Sequence, residues 1–262
     1  TITNLAWIMS PILSGLLITH AGGYRAIYTV AFAMALLMSL GMMLYVKKFK
    51  DKVYTKTPFL TAYKFLKHNK HIRAVNLINF ILQFFFALMV VYTPIYLNEF
   101  IGLDWDKIGI IFTIMLMPFV LFGIPIGKLI DKYNVRKRLL LNVGFVIMGL
   151  STIFIATINT KSLLLWAVVL FMTRVGAAIV ETTSEIYFFT HVREEDAYLL
   201  SIFRDMTPVA YIVAPLLGSL FILFLPFQYL FICLGLFTFI GFYYVTQLKH
   251  HHHEIGIPDQ NK

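Results

Sequence analysis

One long apolar stretch of this sequence contains three ionisable residues, Arg174, Glu181 and Glu185. In a helix, which turns by about 100° per residue, Glu181 lies about 20° to one side of Arg174 and Glu185 about 20° to the other. All three side chains therefore share one face of the helix. Ionisable groups within long apolar helices are rare, and they mark substrate or proton pathways by default. We predict that this stripe is a proton or substrate-charge relay, with Glu181, the deeper carboxylate, as the group that takes up the proton.

Two more charged residues, Arg204 and Asp205, lie in the next apolar stretch. A short turn at residues 191–196 would make the two helices antiparallel and bring Arg204 to the depth of the carboxylates. We therefore assign Arg204 and Asp205 to the same relay, in which an arginine changes partner as a carboxylate gains or loses its proton. The alternative is a permanent ion-pair network that only fixes the register of the helices, because a buried charge that loses its partner is costly.

A further polar stripe consists of amides at positions i, i+3 and i+7, namely Asn76, Asn79 and Gln83. Amides in an apolar environment need hydrogen-bond partners, which are either other helices or water in a cavity. We predict that these three residues line a cavity. Hydrogen bonding between helices is an equally good alternative.

The elements that position these residues are apolar segments long enough to cross a bilayer, which takes about 20 residues. Five uncharged runs cover residues 1–24, 26–46, 74–98, 108–127 and 139–160. Charged residues make up only 13% of the chain, against about 25% in soluble proteins. The sequence predicts an all-α membrane protein with eight transmembrane helices, at about 4–21, 24–46, 73–98, 105–131, 138–159, 161–190, 197–224 and 227–248.

The positions of lysine and arginine predict the orientation of these helices. Most of the 22 basic residues fall in the segments 47–73 and 128–138 and near the end of the chain. Because loops rich in lysine and arginine stay cytoplasmic, both ends of the chain are predicted to be cytoplasmic. We expect an integral protein of the bacterial inner membrane, with the lipid bilayer as its partner. The net charge of +9 is then spread over several loops, which argues against a nucleic-acid partner.

The predicted helices divide the chain into four segments: two helices at 1–46, a basic cytoplasmic linker at 47–72, a six-helix bundle at 73–249 and a cytoplasmic tail at 250–262. Within the linker, Thr57 and Pro58 are typical of a helix start. The mixture of aromatic residues and lysines that follows them predicts an amphipathic helix on the inner leaflet. A solvated connector is the alternative.

Two short segments resemble each other across the linker. Residues 10–16 (SPILSGL) and 214–220 (APLLGSL) each contain a proline, two branched apolar residues and a pair of small residues. If this internal similarity is a repeat, the two helices before the linker correspond to the last two of the six after it, and a first half of equal size would lack its initial four. We therefore expect a longer chain that supplies the missing N-terminal helices. Coincidence between apolar sequences is the alternative.

Residues 127–138 (GKLIDKYNVRKR) form a basic turn that could act as a latch. Gly127 permits close contact with a neighbouring helix, and Asp131 ends a helix where it can meet Arg136 or the positive end of another helix. Asn134 suits the left-handed backbone of a tight turn. We assign Gly127, Asp131, Lys132, Asn134 and Arg136 to gating. An ordinary helix end with cytoplasmic charges is the alternative.

This turn resembles the cytoplasmic signature of the major facilitator superfamily, although Asn134 and Val135 stand where the family usually has a glycine and a basic residue. The resemblance implies a major-facilitator-type bundle lacking the first four helices: the last two helices of the first bundle, the basic loop and the complete second bundle. It also implies that the latch helps to close the inner side and that both polar stripes face a central cavity.

The same resemblance implies a secondary transporter that moves a small molecule by alternating access around a midplane site. The acidic groups within the predicted spans favour protons as the coupling ion. The sequence contains no Walker loop, zinc-ligand pattern or nucleophile elbow, so we predict no enzymatic activity and no cofactor. The resemblance favours export over uptake. The alternatives are a non-transporting membrane sensor or assembly protein and an inactive truncated remnant.

Overall fold

The computed structural model describes residues 2–46, 68–192 and 197–249, which form helices joined by short turns. We number the helices α1 (Ile2–His20), α2 (Tyr24–Val46), α3 (Lys70–Ile95), α4 (Trp105–Asp131), α5 (Lys137–Ile155), α6 (Leu163–His191), α7 (Ala197–Phe224), α8 (Gln228–Thr238) and α9 (Ile240–Thr246). The described ranges contain no strand. The predicted all-α class is therefore confirmed.

Seven helical spans in the described part of the chain are long and apolar enough to cross a membrane. They match seven of the eight predicted segments, with α8 and α9 together forming the last span. In α1, the apolar part with described side chains is shorter, Met9–His20. The predicted amphipathic helix of the linker lies outside the described residues, as does the tail at 250–262.

Two irregularities separate the observed helices from the predicted ones. The third span ends in a π-helical turn, Tyr96–Phe100, which follows directly on Pro94. Proline has no backbone N–H, so the regular hydrogen-bond ladder is interrupted just before this turn. The predicted helix at 227–248 is divided at Phe239, where the hydrogen bonds tighten to the i→i+3 pattern (Phe239 N to Leu236 O, 3.1 Å).

Helices α3 and α6 form the centre of the bundle. Helix α6 packs against α4 and α5 and also touches α3, which in turn packs against α7, while α5 packs against α8. Phe85 of α3 and Ala177 and Val180 of α6 are fully buried between these helices. The two predicted polar stripes therefore lie on α3 and α6, the two most buried helices of the described structure.

Glycines let several helices approach closely. A Cβ atom on Gly176 of α6 would lie 2.5 Å from the backbone nitrogen of Met148 in α5, and one on Gly144 would lie 2.9 Å from the carbonyl oxygen of Gly176. Between membrane helices there is little hydrophobic driving force, so close backbone packing supplies much of the association energy. The α5–α6 contact thus depends on these two glycines.

The first helix attaches to the rest of the structure through a similar crossing. A Cβ atom on Gly15 of α1 would lie 2.8 Å from the carbonyl oxygen of Trp105, and one on Gly109 of α4 would lie 2.7 Å from that of Pro11. Helix α2 contacts α1 and is exposed along most of its apolar length. In a bilayer this exposed surface is suited to contact with lipid or with other membrane helices.

In each of the two similar segments, 10–16 and 214–220, a serine bonds to the carbonyl oxygen of the proline, but the two serines are not at equivalent positions of the segments. Ser14 donates a hydrogen bond to the carbonyl oxygen of Pro11 (2.9 Å), and Ser219 donates one to that of Pro215 (2.8 Å). Each proline lies where its helix packs against a neighbour. These neighbours differ, since α1 packs on α4 and α7 on α3.

Several aromatic residues that lie near helix ends in the sequence are typical of interfacial anchors, but this interpretation is wrong for Tyr92, Tyr96 and Trp166. Their side chains are buried, with Tyr96 and Trp166 at 0% exposure. Trp166 donates its indole N–H to the carbonyl oxygen of Thr160 (2.8 Å), and its ring meets that of Tyr96 at 6.1 Å. A position near a helix end fixes depth in the membrane but leaves open which side of the helix faces inward.

Candidate functional site

A cavity of about 570 Å³ lies between α3, α4, α6 and α7. Arg174, Glu181 and Glu185 line it from α6, so the structure brings the predicted ionisable stripe together on one wall. Gln83 contributes an amide from α3, and Tyr211 a phenol from α7. A single space thus contains both signs of charge and several hydrogen-bonding groups.

Arg174 is the most enclosed of the cavity-lining charges, with only 2% of its surface exposed. Its guanidinium carbon lies 5.0 Å from the ring centroid of Phe86 and 5.6 Å from that of Phe85. The Nε and Nη2 atoms are buried and have no hydrogen-bond partner in the described part of the chain. Two aromatic faces thus stabilise the cation partially, and its N–H donors remain available.

The two carboxylates differ in their exposure. Glu181 is partly buried and Glu185 is exposed, and both contribute to the cavity wall. Within the described residues, the one ion pair shorter than 4 Å is Lys107–Asp104 (2.7 Å), near the start of α4 and away from the cavity. Neither Glu181 nor Glu185 is therefore paired directly with an arginine, as a permanent network would require.

Arg204 and Asp205 do not join the stripe as predicted. Both are exposed on α7 and neither lines the cavity. The proposed ion pair between Arg204 and a carboxylate of α6 is not formed, although Arg204 is near enough to influence Glu185 electrostatically. Arg204 precedes the cavity-lining Thr207 and Tyr211 at the helical spacings i+3 and i+7, so it shares their side of α7 but lies nearer the start of the helix, beyond the cavity lining.

The residues of the amide stripe do not share one role: one lines the cavity, and the other two form hydrogen bonds to helix backbones. Gln83 lines the cavity, as predicted. Asn79 instead donates a hydrogen bond to the carbonyl oxygen of Phe203 (2.7 Å), which joins α3 to α7, and accepts one from Gln83 (3.4 Å). Asn76 is buried and donates within its own helix to the carbonyl oxygen of Ile72 (2.8 Å). Cavity lining is thus wrong for Asn76 and Asn79 in this conformation.

The remaining walls of the cavity are largely apolar and were not singled out in the sequence. Phe86 and Val90 line it from α3, and Leu116 and Phe119 from α4. The ring of Phe86 meets that of Phe119 edge-on at 5.7 Å. Phe86 follows Gln83 at the helical spacing i+3 and therefore lies on the same face of α3. If the amide stripe is extended by three residues, Phe86 is predicted to line the cavity.

The basic turn after α4 shows one predicted feature and lacks another. Asn134 has a positive φ of 50°, as predicted for a residue in left-handed backbone. Gly127 makes no close helix contact, because a Cβ atom placed there would meet nothing within 4 Å. The packing role predicted for Gly127 is therefore wrong in this conformation.

The charged residues of the same turn are exposed, namely Asp131, Lys132 and Arg136. No ion pair shorter than 4 Å joins Asp131 to Arg136 in the part of the chain described here. The Nζ atom of Lys132 lies over the ring of Tyr133, 5.9 Å from its centroid. The contacts expected of a closed latch are therefore not made between these residues.

The sequence also matches a known protein family. The family model described as Major Facilitator Superfamily matches residues 1–197 and 106–260, which together span nearly the whole chain. Comparison with curated proteins finds no match.

Proposed function

Because the chain belongs to the major facilitator superfamily, we propose that it moves a small molecule across the membrane by proton-coupled alternating access around the cavity between α3, α4, α6 and α7. Its apolar helices and its family make it an integral membrane protein. The observation that carries the proposal is the presence of Arg174, Glu181 and Glu185 on one cavity wall with no direct ion pair among them.

Unpaired charges can respond to a proton or a ligand, whereas a closed ion-pair network resists both. A carboxylate in low dielectric is readily neutralised by a proton, and a nearby cation favours its charged form. When Glu181 is ionised, it attracts Arg174 along the helix, and when it is protonated, the attraction is lost. Proton binding can thus bias α6 between two arrangements relative to the other cavity walls.

Glu185 has a secondary position in this scheme. It lies one helical turn beyond Glu181 and is more exposed, so water solvates its charge more easily. Arg204, outside the cavity, influences it from α7. We propose that Glu185 passes protons between Glu181 and the membrane surface, and that Arg204 and Asp205 act only from the outside of the cavity.

The basic turn supplies the proposed gate. Asp131 and Arg136 are exposed and unpaired with each other here, which fits the open state of a latch on that side. In the closed state Asp131 would meet Arg136 or the positive end of a neighbouring helix. Alternating access would then make and break this contact once in each cycle.

The arrangement of the chain in the membrane is also a proposal. Residues 1–46 would be the last two helices of a first bundle and residues 73–249 the complete second bundle, with both ends cytoplasmic in a bacterial inner membrane. The α1–α4 crossing supports a contact between bundles, and the similarity between residues 10–16 and 214–220 supports a repeat. The family resemblance favours export, in which proton and substrate occupy the cavity in turn.

The test is a transport assay with the full-length protein, produced from its complete reading frame and reconstituted in liposomes that contain a pH-sensitive dye. Neutral, cationic and anionic metabolites are added one at a time. We expect at least one of them to change the internal pH only in liposomes with protein, and the sign of the change gives the direction of coupling. Substrate movement that is the same with and without a pH gradient would refute proton coupling.

A further inference from the structure

Arg174 combines deep burial with unused hydrogen-bond donors. It is 2% exposed, and its Nε and Nη2 atoms have no hydrogen-bond partner among the residues that the structure describes. An arginine stays protonated in proteins, so its buried donors are strongly disfavoured unless an acceptor meets them. The two phenylalanine rings beside it compensate only part of this cost. The guanidinium thus lacks the anionic partner that its position calls for.

No residue of the cavity supplies that partner. Glu181 lies seven residues further along α6, which corresponds to about 10 Å along the helix axis, and forms no ion pair with Arg174. The walls contributed by α3 and α4 carry no titratable group, and α7 contributes only the phenol of Tyr211. An anion that enters the cavity is therefore the partner that the site can accept.

The walls beside Arg174 indicate what the rest of such a ligand is like. Phe86, Phe119 and Tyr211 present aromatic surface to the cavity, and Val90 and Leu116 present aliphatic surface. The volume of about 570 Å³ lies within the range of about 300–1,000 Å³ that is usual for small-molecule sites. One charged end and a predominantly apolar body match this lining.

We propose that Arg174 binds the carboxylate of an organic acid whose aromatic or branched apolar body lies against Phe86, Phe119 and Tyr211. The planar guanidinium can donate two parallel hydrogen bonds to a carboxylate, which gives both affinity and orientation. This site deepens the proposed function by naming the class of substrate. Binding itself requires no transport and can be measured alone.

An anionic substrate also bears on the direction of transport. A bound carboxylate and an ionised Glu181 repel each other, and Glu185 adds to the repulsion, partly offset by Arg204. Proton and acid would therefore occupy the cavity together and move in the same direction. With an inward proton gradient this coupling drives uptake, so a confirmed acid site would replace the expectation of export that comes from resemblance.

The binding test uses the full-length protein in detergent and three probes of one shape: 3-phenylpropionate, its neutral amide 3-phenylpropanamide and the cation 3-phenylpropylamine. Benzoate, indole-3-acetate and 4-methylvalerate extend the acid series. Isothermal titration calorimetry measures affinity and thermal unfolding confirms it. We expect at least one acid to bind, and its amide to bind about 10- to 100-fold more weakly, because a charge-assisted pair is lost.

Variants test the assignment to Arg174. Arg174→Gln should weaken acid binding by the same factor, and Arg174→Lys, which retains the charge, should retain part of it. Arg25→Gln, an exposed arginine on α2, is the matched control and should bind as the parent does. Glu181→Gln should strengthen binding by up to about tenfold, since a charge about 10 Å away is removed.

Three outcomes would overturn the proposal. The first is that no acid of the series binds at millimolar concentration, and the second is that the amide or the amine binds as tightly as the acid. The third is that Arg174→Gln binds the acid like the parent while its unfolding temperature shows that it is folded.

The transport assay distinguishes failure of this site from failure of the proposed transport function. Acid binding without any flux would refute transport but support the site, whereas flux of neutral or cationic metabolites without acid binding would refute the site alone.

Discussion

The side-chain amide of Asn79 in α3 donates a 2.7 Å hydrogen bond to the backbone carbonyl of Phe203 in α7. Phe203 directly precedes Arg204, so this bond fixes the part of α7 that carries the exposed Arg204 and Asp205, next to the cavity lining but not part of it. Gln83, one turn further along α3, bonds to Asn79 and lines the cavity. Asn79 thus joins the two helices, whereas Gln83 can bond to a ligand or to water in the cavity.

Asn79→Ala should destabilise the protein by about 0.6 kcal/mol, the average measured for hydrogen bonds between membrane helices, and by no more than about 1.7 kcal/mol, the largest value measured. The carbonyl oxygen of Phe203 loses its side-chain donor, and the α3–α7 contact loosens. Thermal unfolding in detergent measures the change. Gln83→Ala is the matched control and should leave stability nearly unchanged, because Gln83 makes no hydrogen bond to another helix in the described structure. Equal effects of the two substitutions would contradict this division of roles.

Arg174→Met should leave the stability of the ligand-free protein unchanged or raise it. Methionine fills similar space beside Phe85 and Phe86 without an unsatisfied buried donor, and replacement of buried charges by apolar residues is often neutral or stabilising by about 1–4 kcal/mol. Unfolding by heat or denaturant measures this. A loss of about 3–5 kcal/mol, typical of breaking a buried ion pair, would show that Arg174 has a structural partner after all.

Gly176→Ala should destabilise the α5–α6 contact by about 1–3 kcal/mol, the usual cost of overpacking. The added Cβ atom would lie 2.5 Å from the backbone nitrogen of Met148, which cannot move aside like a flexible side chain. Gly41→Ala in α2 is the control, since a Cβ atom there meets nothing within 4 Å. Both unfolding temperatures are measured side by side, and a Gly176→Ala protein as stable as Gly41→Ala would contradict the close crossing.

Asn134→Val should lower stability by about 1–2 kcal/mol, whereas Asn134→Gly should be neutral or slightly stabilising. The positive φ of 50° at this position places a side chain near the following carbonyl group, which costs most for a β-branched residue and nothing for glycine. Thermal unfolding of the two variants gives the comparison. If valine were tolerated as well as glycine, the turn would not have left-handed backbone at Asn134.

The helices could be predicted because membrane spans are determined by length and lack of charge, which are properties of the sequence alone. Periodicity also placed Arg174, Glu181 and Glu185 on one face, and the structure puts that face on the cavity. The direction in which a face points depends on the neighbouring helices, which no single segment encodes. For this reason the sequence could not predict that Asn79 bonds to α7 or that Arg204 is exposed and does not line the cavity.

Packing contacts between helices were the hardest feature to predict. The sequence favours a helix contact at Gly127, which meets nothing within 4 Å, whereas Gly144 and Gly176, to which it gives no role, lie where two backbones of the described helices approach closely. A glycine in the sequence shows where close approach is possible, but the position of the neighbouring backbone decides whether it occurs. Likewise, the burial of Tyr96 and Trp166 depends on side chains from other segments, such as Phe231 against Tyr96.

The measurement that tests the central claim most directly compares proton movement and substrate exchange in liposomes containing the parent protein, Glu181→Gln or Glu99→Gln. Glu99 is an exposed carboxylate outside the cavity, so its substitution controls for the loss of a negative charge. If Glu181 is the coupling group, Glu181→Gln should still exchange substrate across the membrane but move no protons with it, while Glu99→Gln behaves as the parent. Unchanged proton movement in a folded Glu181→Gln protein would contradict the account.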